Sequence, residues 1–159
     1  MANPIIQKIL DTLGLMRQGE EGMAAFYETC AARWDNSAEF WQELQDAERR
    51  HASALVEMAE LVKANEALYA PGRPFNPTAT QVFIDWTERS RKEIQSENAF
   101  LKDALVLALD MERALLENKF MEVLTSRDPQ YLQLAKTLET DTETHVEMLK
   151  EKAAQYSVD

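Results

Sequence analysis

The sequence predicts an all-α fold. Its proline-free runs, 5–70, 78–128 and 130–159, are rich in Ala, Leu, Glu, Lys, Gln and Met, the residue types that enter helices most readily. Only four glycines and five prolines interrupt the 159 residues, of which 45% are hydrophobic. A chain of this length can bury one substantial core. We therefore expect a single domain over residues 1–159.

The first half is predicted to contain two long helices. The first runs from about residue 3 to 34, and a Trp-Asp-Asn-Ser turn separates it from a second helix at about 37–68. Asn36 and Ser37 favour helix N-caps, because their short side chains can accept hydrogen bonds from the first backbone N–H groups. Residues 69–77 contain three prolines and a glycine, and they are predicted to be irregular.

The second half is predicted to contain a shorter helix at about 78–95, a third main helix at about 97–126, and a fourth main helix after that. Asp128 is predicted as the N-cap of the fourth helix and Pro129 as its first residue. The short turns make each half an antiparallel helix pair. The long segment between the second and third main helices can span the length of the bundle and join the two pairs. This pattern predicts a four-helix bundle with one long crossover connection.

Each main helix carries an apolar seam with residues alternately three and four positions apart, and polar residues interrupt every seam near its middle. Glu48 and His51 are three residues apart and therefore share one helical face, whereas Glu21 lies off its seam. The four seams contain Ile6, Ile9, Leu13, Met16, Glu20, Met23, Tyr27, Cys30 and Trp34; Trp41, Leu44, Glu48, His51, Leu55, Met58 and Val62; Leu101, Leu105, Ala108, Glu112, Leu116 and Phe120; and Leu134, Leu138, Thr142, His145, Leu149 and Tyr156.

The polar interruptions are predicted to meet at one depth. Glu20 and Glu48 lie about 14 and about 13 residues from the first turn, and Glu112 and Thr142 each lie about 15 residues from the second. Buried carboxylates that stay ionised and unpaired cost several kcal/mol each, and no Lys or Arg lies on the seams at this depth. Divalent cations are the remaining counter-charge. Carboxylate and imidazole ligands suit iron, with manganese and zinc as open alternatives.

Four short motifs resemble the rubrerythrin branch of the ferritin-like superfamily. They are EEGMAAFY with Glu20 and Tyr27, ERRH with Glu48 and His51, ALDME with Glu112, and THVEML with His145. The resemblance spans nearly the whole chain. It implies a ferritin-like four-helix bundle that holds two metal ions, normally iron, and reacts with oxygen or hydrogen peroxide.

The resemblance also implies roles for individual residues. Glu20 and Glu112 map to terminal carboxylate ligands, His51 and His145 to the histidine ligands, and Glu48 to a bridging carboxylate. Tyr27 is expected to be a core aromatic residue that hydrogen-bonds the site.

Two departures from the family pattern change these expectations. The segment DTETH places Thr142 where the second bridging carboxylate belongs, so the site offers three negative charges to two ferrous ions. Asp141 lies four residues before His145 and is the best substitute ligand, while Glu143 points away. The rubredoxin-like iron domain would need four cysteines, and the chain has only Cys30. Reductive turnover would therefore need a separate electron donor protein.

Charge and composition limit the other possible partners. The net charge of −11 disfavours binding to nucleic acid or to an anionic membrane surface. Cys30 cannot form an internal disulfide or a cysteine metal site. Polar residues interrupt the apolar residues of the N-terminal stretch, so it does not predict a signal peptide, and no stretch approaches the ~20 apolar residues of a membrane span. A cytoplasmic location is expected.

Three functions stay open at this point. The chain is a di-iron oxidoreductase that reduces peroxide or oxidises ferrous iron, or a metal-binding protein with a single or asymmetric site and no efficient turnover. The third hypothesis is a helical scaffold whose acids form a residual hydrogen-bonded network. We expect the chain to form a homodimer through an outer helical face. Under the scaffold hypothesis, this dimerisation would be the main role of the protein.

Overall fold

The computed structural model describes residues 3–96, 98–117 and 122–156. Within these residues the chain forms five α-helices and two short strands: α1 (Pro4–Arg33), α2 (Ala38–Ala64), β1 (Tyr69–Pro71), α3 (Pro77–Ile94), α4 (Leu101–Glu117), β2 (Leu124–Ser126) and α5 (Pro129–Ala154). The all-α prediction is confirmed at this level. None of the described helices combines the length and the apolar character that a membrane span requires.

Three helices begin with the same capping arrangement. Asn3, Asn76 and Asp128 precede α1, α3 and α5, and each side chain accepts a hydrogen bond from a backbone N–H in the first turn. A proline follows each cap, at a position where a backbone N–H would have no partner within the helix. The predicted roles of Asp128 as N-cap and Pro129 as first helical residue are confirmed.

The turn between α1 and α2 is a short 3₁₀ segment, Asp35–Ser37. Ser37 occupies the N-cap position of α2, but its side chain does not cap the helix. Instead the Ser37 hydroxyl lies 3.4 Å from the Trp34 carbonyl, to which it donates, and accepts the indole N–H of Trp41 at 3.2 Å. Since so few residues separate them, α1 and α2 run antiparallel and pack against each other along their lengths.

Helix α3 packs on α1 through two glycines of α1 that lie three residues apart, Gly19 and Gly22. A Cβ atom at Gly19 would contact the Phe83 ring at 3.6 Å, which is ordinary van der Waals distance. A Cβ atom at Gly22 would overlap the Thr87 hydroxyl. The segment that the sequence predicted as a connecting helix is therefore a packing element in its own right.

The two strands correct two predictions. β1 pairs antiparallel with β2, with Tyr69 opposite Ser126 and Pro71 opposite Leu124. Residues 69–77 are therefore not irregular throughout, and the third main helix does not continue to residue 126. The ladder satisfies backbone groups that a proline-rich segment cannot satisfy in a helix, and it buries Tyr69 and Leu124. Helix α2 also ends earlier than predicted, at Ala64.

Among the described residues, the core consists of two apolar clusters with a polar layer between them. One cluster contains Met23, Tyr27, Trp41, Leu105 and Leu149, and the other contains Ile9, Met16, Leu55, Met58 and Leu138, among further residues. The predicted polar seam residues fall between the clusters on α1, α2 and α5. Among the other predicted seam residues, Tyr156 is 45% exposed and does not belong to the core. Phe120 lies outside the described residues.

Candidate metal centre

The polar layer is built from five side chains on four helices. The chain places Glu20 on α1, Glu48 and His51 on α2, Glu112 on α4, and His145 on α5. All five are buried, with Glu48 and Glu112 completely so and Glu20 retaining 9% exposure. Their positions follow from the seams, because each residue continues the apolar stripe of its helix at the depth where the two core clusters end.

Glu48 lies between the two histidines. Its Oε2 atom is 3.2 Å from His51 Nδ1, and its Oε1 atom is 3.0 Å from His145 Nδ1. The two imidazole rings are stacked, with centroids 5.7 Å apart and an interplanar angle of 26°. Each carboxylate oxygen of Glu48 therefore faces a different histidine, which is the arrangement that a bridging ligand requires.

Two groups of potential ligands share Glu48. Glu20, Glu48 and His51 form one group, and Glu48, Glu112 and His145 form the other. Within each group, one ligand atom from every residue lies within 4.8 Å of the others. His51 Nδ1 is 3.8 Å from Glu20 Oε2, and His145 Nδ1 is 3.2 Å from Glu112 Oε1. Each group can offer three ligand atoms, with oxygen and nitrogen donors, to one metal ion.

Unpaired oxygen atoms support this interpretation. Glu20 Oε2, Glu48 Oε1 and Glu112 Oε2 are buried and have no hydrogen-bond partner among the described residues. Glu48 Oε1 lies 3.0 Å from His145 Nδ1, but the same nitrogen is 3.2 Å from Glu112 Oε1, so the two carboxylates compete for one ring nitrogen. An unsatisfied buried polar atom costs about 1–3 kcal/mol, and more when it is charged. Metal ions bound by the two groups would take oxygen ligands from the same three glutamates, so the side chains fit divalent cations.

The carboxylates differ in how easily they ionise. Burial raises the pKa of Glu48 well above its ordinary value, and the negative charges of Glu112 and Glu20 raise it further. Burial also acts to raise the pKa of Glu20, but interactions with the Glu48 carboxyl and the His51 ring bring it below its ordinary value. Glu48 is therefore harder to ionise than Glu20 when no metal is bound.

The pKa values of the two histidines are raised, although burial alone would lower them. Burial favours a neutral ring and lowers a histidine pKa, yet the adjacent Glu20 and Glu48 carboxylates raise the pKa of His51 to about 11. Glu112 and Glu48 likewise raise the pKa of His145 to about 10. Protonated rings would supply positive charge within the cluster, and a metal ion that binds the same nitrogen atoms must displace those protons.

Tyr27 connects α1 to this layer. Its hydroxyl donates to Glu112 Oε1 at 2.6 Å, and its ring stacks on Trp41 at 5.8 Å. Burial raises the pKa of Tyr27 well above its ordinary value, and the charges of Glu112 and Glu48 add to that effect. The phenol therefore keeps its proton and fixes one oxygen of Glu112. The sequence expectation that Tyr27 is a core aromatic that hydrogen-bonds the site agrees with these contacts.

Asp141 lies outside both donor groups. Its Oδ2 atom is 3.0 Å from His51 Nε2, on the opposite side of the ring from Glu20 and Glu48, and its side chain is 39% exposed. A carboxylate in this position fixes the tautomer and orientation of a ligand histidine. The geometry thus assigns Asp141 a positioning contact with His51, which the helical spacing from His145 did not reveal. Glu143 is exposed.

The two halves of the layer are not equivalent. Thr142 is buried on α5 at the position that matches Glu48 on α2, and its hydroxyl donates to the Leu138 carbonyl at 2.8 Å. Asp141 lies four residues before His145, and the residue four positions before His51 is Ala47. The Ala47 side chain cannot form a hydrogen bond. The second half therefore lacks both a bridging carboxylate and a carboxylate partner for its histidine at these positions.

A cavity of about 350 Å³ reaches the layer at Glu20 and Thr142. It passes between α1, α3, α4 and α5, and its lining is mainly apolar. No sequence pattern predicted this cavity. The available signal was the short Thr142 side chain in the position that matches the longer Glu48 on α2.

No family model, curated protein or solved structure matches this chain. The fold and the site define a mostly helical protein with a buried cluster of glutamates and histidines that could bind metal ions.

Proposed function

We propose that the chain is a rubrerythrin-like member of the ferritin-like superfamily, a four-helix bundle with one long crossover that binds two iron ions. Its proposed activity is redox chemistry toward hydrogen peroxide, or toward oxygen with ferrous iron as the reductant. The observation that carries the proposal is the position of Glu48, whose two oxygens face His51 and His145 at 3.2 and 3.0 Å. On one side of Glu48, the α1–α2 pair contributes Glu20 and His51. On the other side, the α4–α5 pair contributes Glu112 and His145.

Two ferrous ions held by Glu20, Glu48, His51, Glu112 and His145 would supply the two electrons that, with two protons, reduce hydrogen peroxide to two water molecules. The residues of the chain would bind the ions and limit their contact with water. Glu48 links the two ligand groups, and Tyr27 holds Glu112 through its 2.6 Å hydrogen bond. The apolar clusters on both sides limit the contact of the layer with bulk water. A separate electron donor protein would return the electrons to the iron ions. The chain is also proposed to form a homodimer with a second copy of itself.

A second candidate function is a metal-binding protein without efficient turnover, or a helical scaffold with a degenerate site that dimerises. The buried Thr142 favours this candidate, because the chain supplies three carboxylates for four positive charges. The asymmetric support of His51 by Asp141 points in the same direction. The number of bound metal ions distinguishes this candidate from the first.

The test is metal analysis of protein purified under iron-replete conditions, alongside a Glu48→Ala variant. The proposal expects two iron ions per chain in the parent protein and loss of metal in the variant. It also expects a near-ultraviolet charge-transfer absorption that dithionite bleaches and hydrogen peroxide restores. One metal ion per chain without this redox response would favour the second candidate. Metal-free parent protein, with a variant that is at least as stable, would overturn metal binding altogether.

A further inference from the structure

The cavity beside the cluster has the form of a site for a small organic molecule. Glu20 and Thr142, both buried, mark its inner end. Between this end and the surface its lining includes the buried Thr80 but is mainly apolar, with Met16, Phe83, Leu115, Leu116 and Leu138. Small-molecule sites are typically apolar chambers with a few polar groups, and a cavity of ~150 Å³ already holds benzene. A volume of about 350 Å³ accommodates a ligand with a hydrocarbon chain.

The inner end of the cavity is also where the ligand set lacks a carboxylate. Two divalent ions bring four positive charges, and Glu20, Glu48 and Glu112 supply three negative ones. Thr142 stands where the fourth carboxylate would be, and its hydroxyl proton is committed to the Leu138 carbonyl. Glu20 Oε2 lies buried and unpaired at the same end of the cavity. An anion with oxygen donors could therefore reach the position that the chain leaves without negative charge.

Resting on the proposed function, we propose that the metal-loaded protein binds a medium-chain aliphatic monocarboxylate in this cavity. Its carboxylate lies at the Thr142 end and supplies the missing negative charge. Its hydrocarbon chain lies against the apolar lining, and burial of that chain drives binding. In the absence of metal the Glu20 carboxylate repels the ligand, so binding depends on metal.

The open end of the cavity restricts the ligand to a single carboxylate. Glu122, Glu139 and Glu143 line the cavity and are exposed, so they mark the end that faces solvent. A dicarboxylate of the same length would place its second carboxylate among these like charges. Such repulsion is a common basis of specificity, and it selects for an uncharged tail.

The first experiment compares octanoate with suberate, which has the same number of carbon atoms and a carboxylate at both ends. Binding is measured by isothermal titration calorimetry with protein loaded anaerobically with ferrous iron, and with metal-free protein. We expect octanoate to bind the loaded protein, suberate to bind at least about tenfold more weakly, and neither to bind the metal-free protein. Equal affinity for both acids, or octanoate binding without metal, would overturn the proposal.

Variants of Thr142 test the inner end. Thr142→Leu extends an apolar side chain into the cavity and should abolish octanoate binding while metal content stays at the parent level. Thr142→Glu supplies the chain's own carboxylate, and it should abolish octanoate binding while strengthening the second metal site. Thr144→Leu is the matched control, because Thr144 makes the same hydrogen bond to the carbonyl four residues earlier but is exposed and outside the cavity lining. Octanoate binding by Thr142→Leu at parental affinity would contradict the proposal.

A double variant tests the outer end. Glu139→Gln with Glu143→Gln removes two of the rim charges and should reduce the preference for octanoate over suberate. Glu39→Gln with Glu43→Gln is the control, since these exposed residues have the same spacing on α2 and lie outside the cavity lining. An unchanged preference in the rim variant would exclude the proposed role of the rim.

Metal content measured on the same samples separates this inference from the proposed function. Protein that binds no metal under any condition would refute the proposed function and the ligand site together. Protein that holds iron but binds no octanoate would refute only the ligand site.

Discussion

The central prediction concerns Glu48→Gln, which keeps the shape of the side chain but removes its charge. Glu48 belongs to both ligand groups, so this substitution weakens both metal positions at once. In the parent protein, a metal at 100 times its dissociation constant stabilises the folded state by about 2.7 kcal/mol. A domain of this size gains roughly 2–4 °C in melting temperature per kcal/mol, so the parent should gain about 5–11 °C. A 100-fold loss of affinity leaves the variant only about 0.4 kcal/mol, or roughly 1 °C.

The metal-free proteins should behave differently. Because burial and the neighbouring carboxylates raise its pKa, the Glu48 carboxyl group favours its neutral form in the metal-free chain, and glutamine resembles that neutral form. We expect the metal-free variant to match the parent within about 1 kcal/mol, or to exceed it. The assay is thermal unfolding followed by circular dichroism, with and without ferrous iron under anaerobic conditions. Glu43→Gln, an exposed change on the same helix, is the control. A variant that keeps the full metal-induced shift would refute the assignment of Glu48 as a shared ligand.

Three further predictions address the surroundings of the site. Asp141→Asn should lower metal affinity about 10–100-fold at the position that includes His51, measured by calorimetry, because Asp141 orients that ring. Metal affinity should rise with pH by up to about tenfold per pH unit for each proton released. The reason is that His51 (pKa about 11) and His145 (pKa about 10) must lose their protons to bind a metal ion. A metal affinity that is independent of pH would contradict those raised pKa values. Gly22→Ala should destabilise the protein by about 1–3 kcal/mol in urea unfolding, whereas Gly14→Ala, where a Cβ meets no atom within 4 Å, should stabilise it by about 0.5–1 kcal/mol.

Seam periodicity in the amino-acid sequence is sufficient to predict most of the polar layer. Glu20, Glu48, His51, Glu112 and His145 each continue an apolar stripe, and a side chain that continues such a stripe must face the core whatever its chemistry. The turn positions then set their depth, because the rise per residue of a helix is fixed. Local rules of this kind are readable from sequence. The same rules placed Asp128 and Pro129 at the start of α5 correctly.

Features that depend on contacts distant in sequence were not readable in the same way. Tyr69 and Leu124 lie in strands that pair only after the chain has folded back on itself, and each strand has too few residues to show a periodic pattern. Asp141 could be placed on the correct face of α5, but its partner proved to be His51 on α2. The cavity depends on side chains from four elements, and no single segment predicts a void between them.

The asymmetry of the layer leads to a last prediction, that the two metal positions differ in affinity and fill in order. The group of Glu20, Glu48 and His51 has the support of Asp141, whereas in the group with His145 the matching position is Ala47. A supporting carboxylate typically changes metal affinity 10–100-fold, so the His51 position should fill first. Replacing His145 by alanine should leave one ferrous ion bound with nearly parental affinity in anaerobic equilibrium dialysis. Replacing His51 by alanine should weaken the tighter of the two binding steps. If the His145 variant instead loses the tighter step, Asp141 does not determine the order.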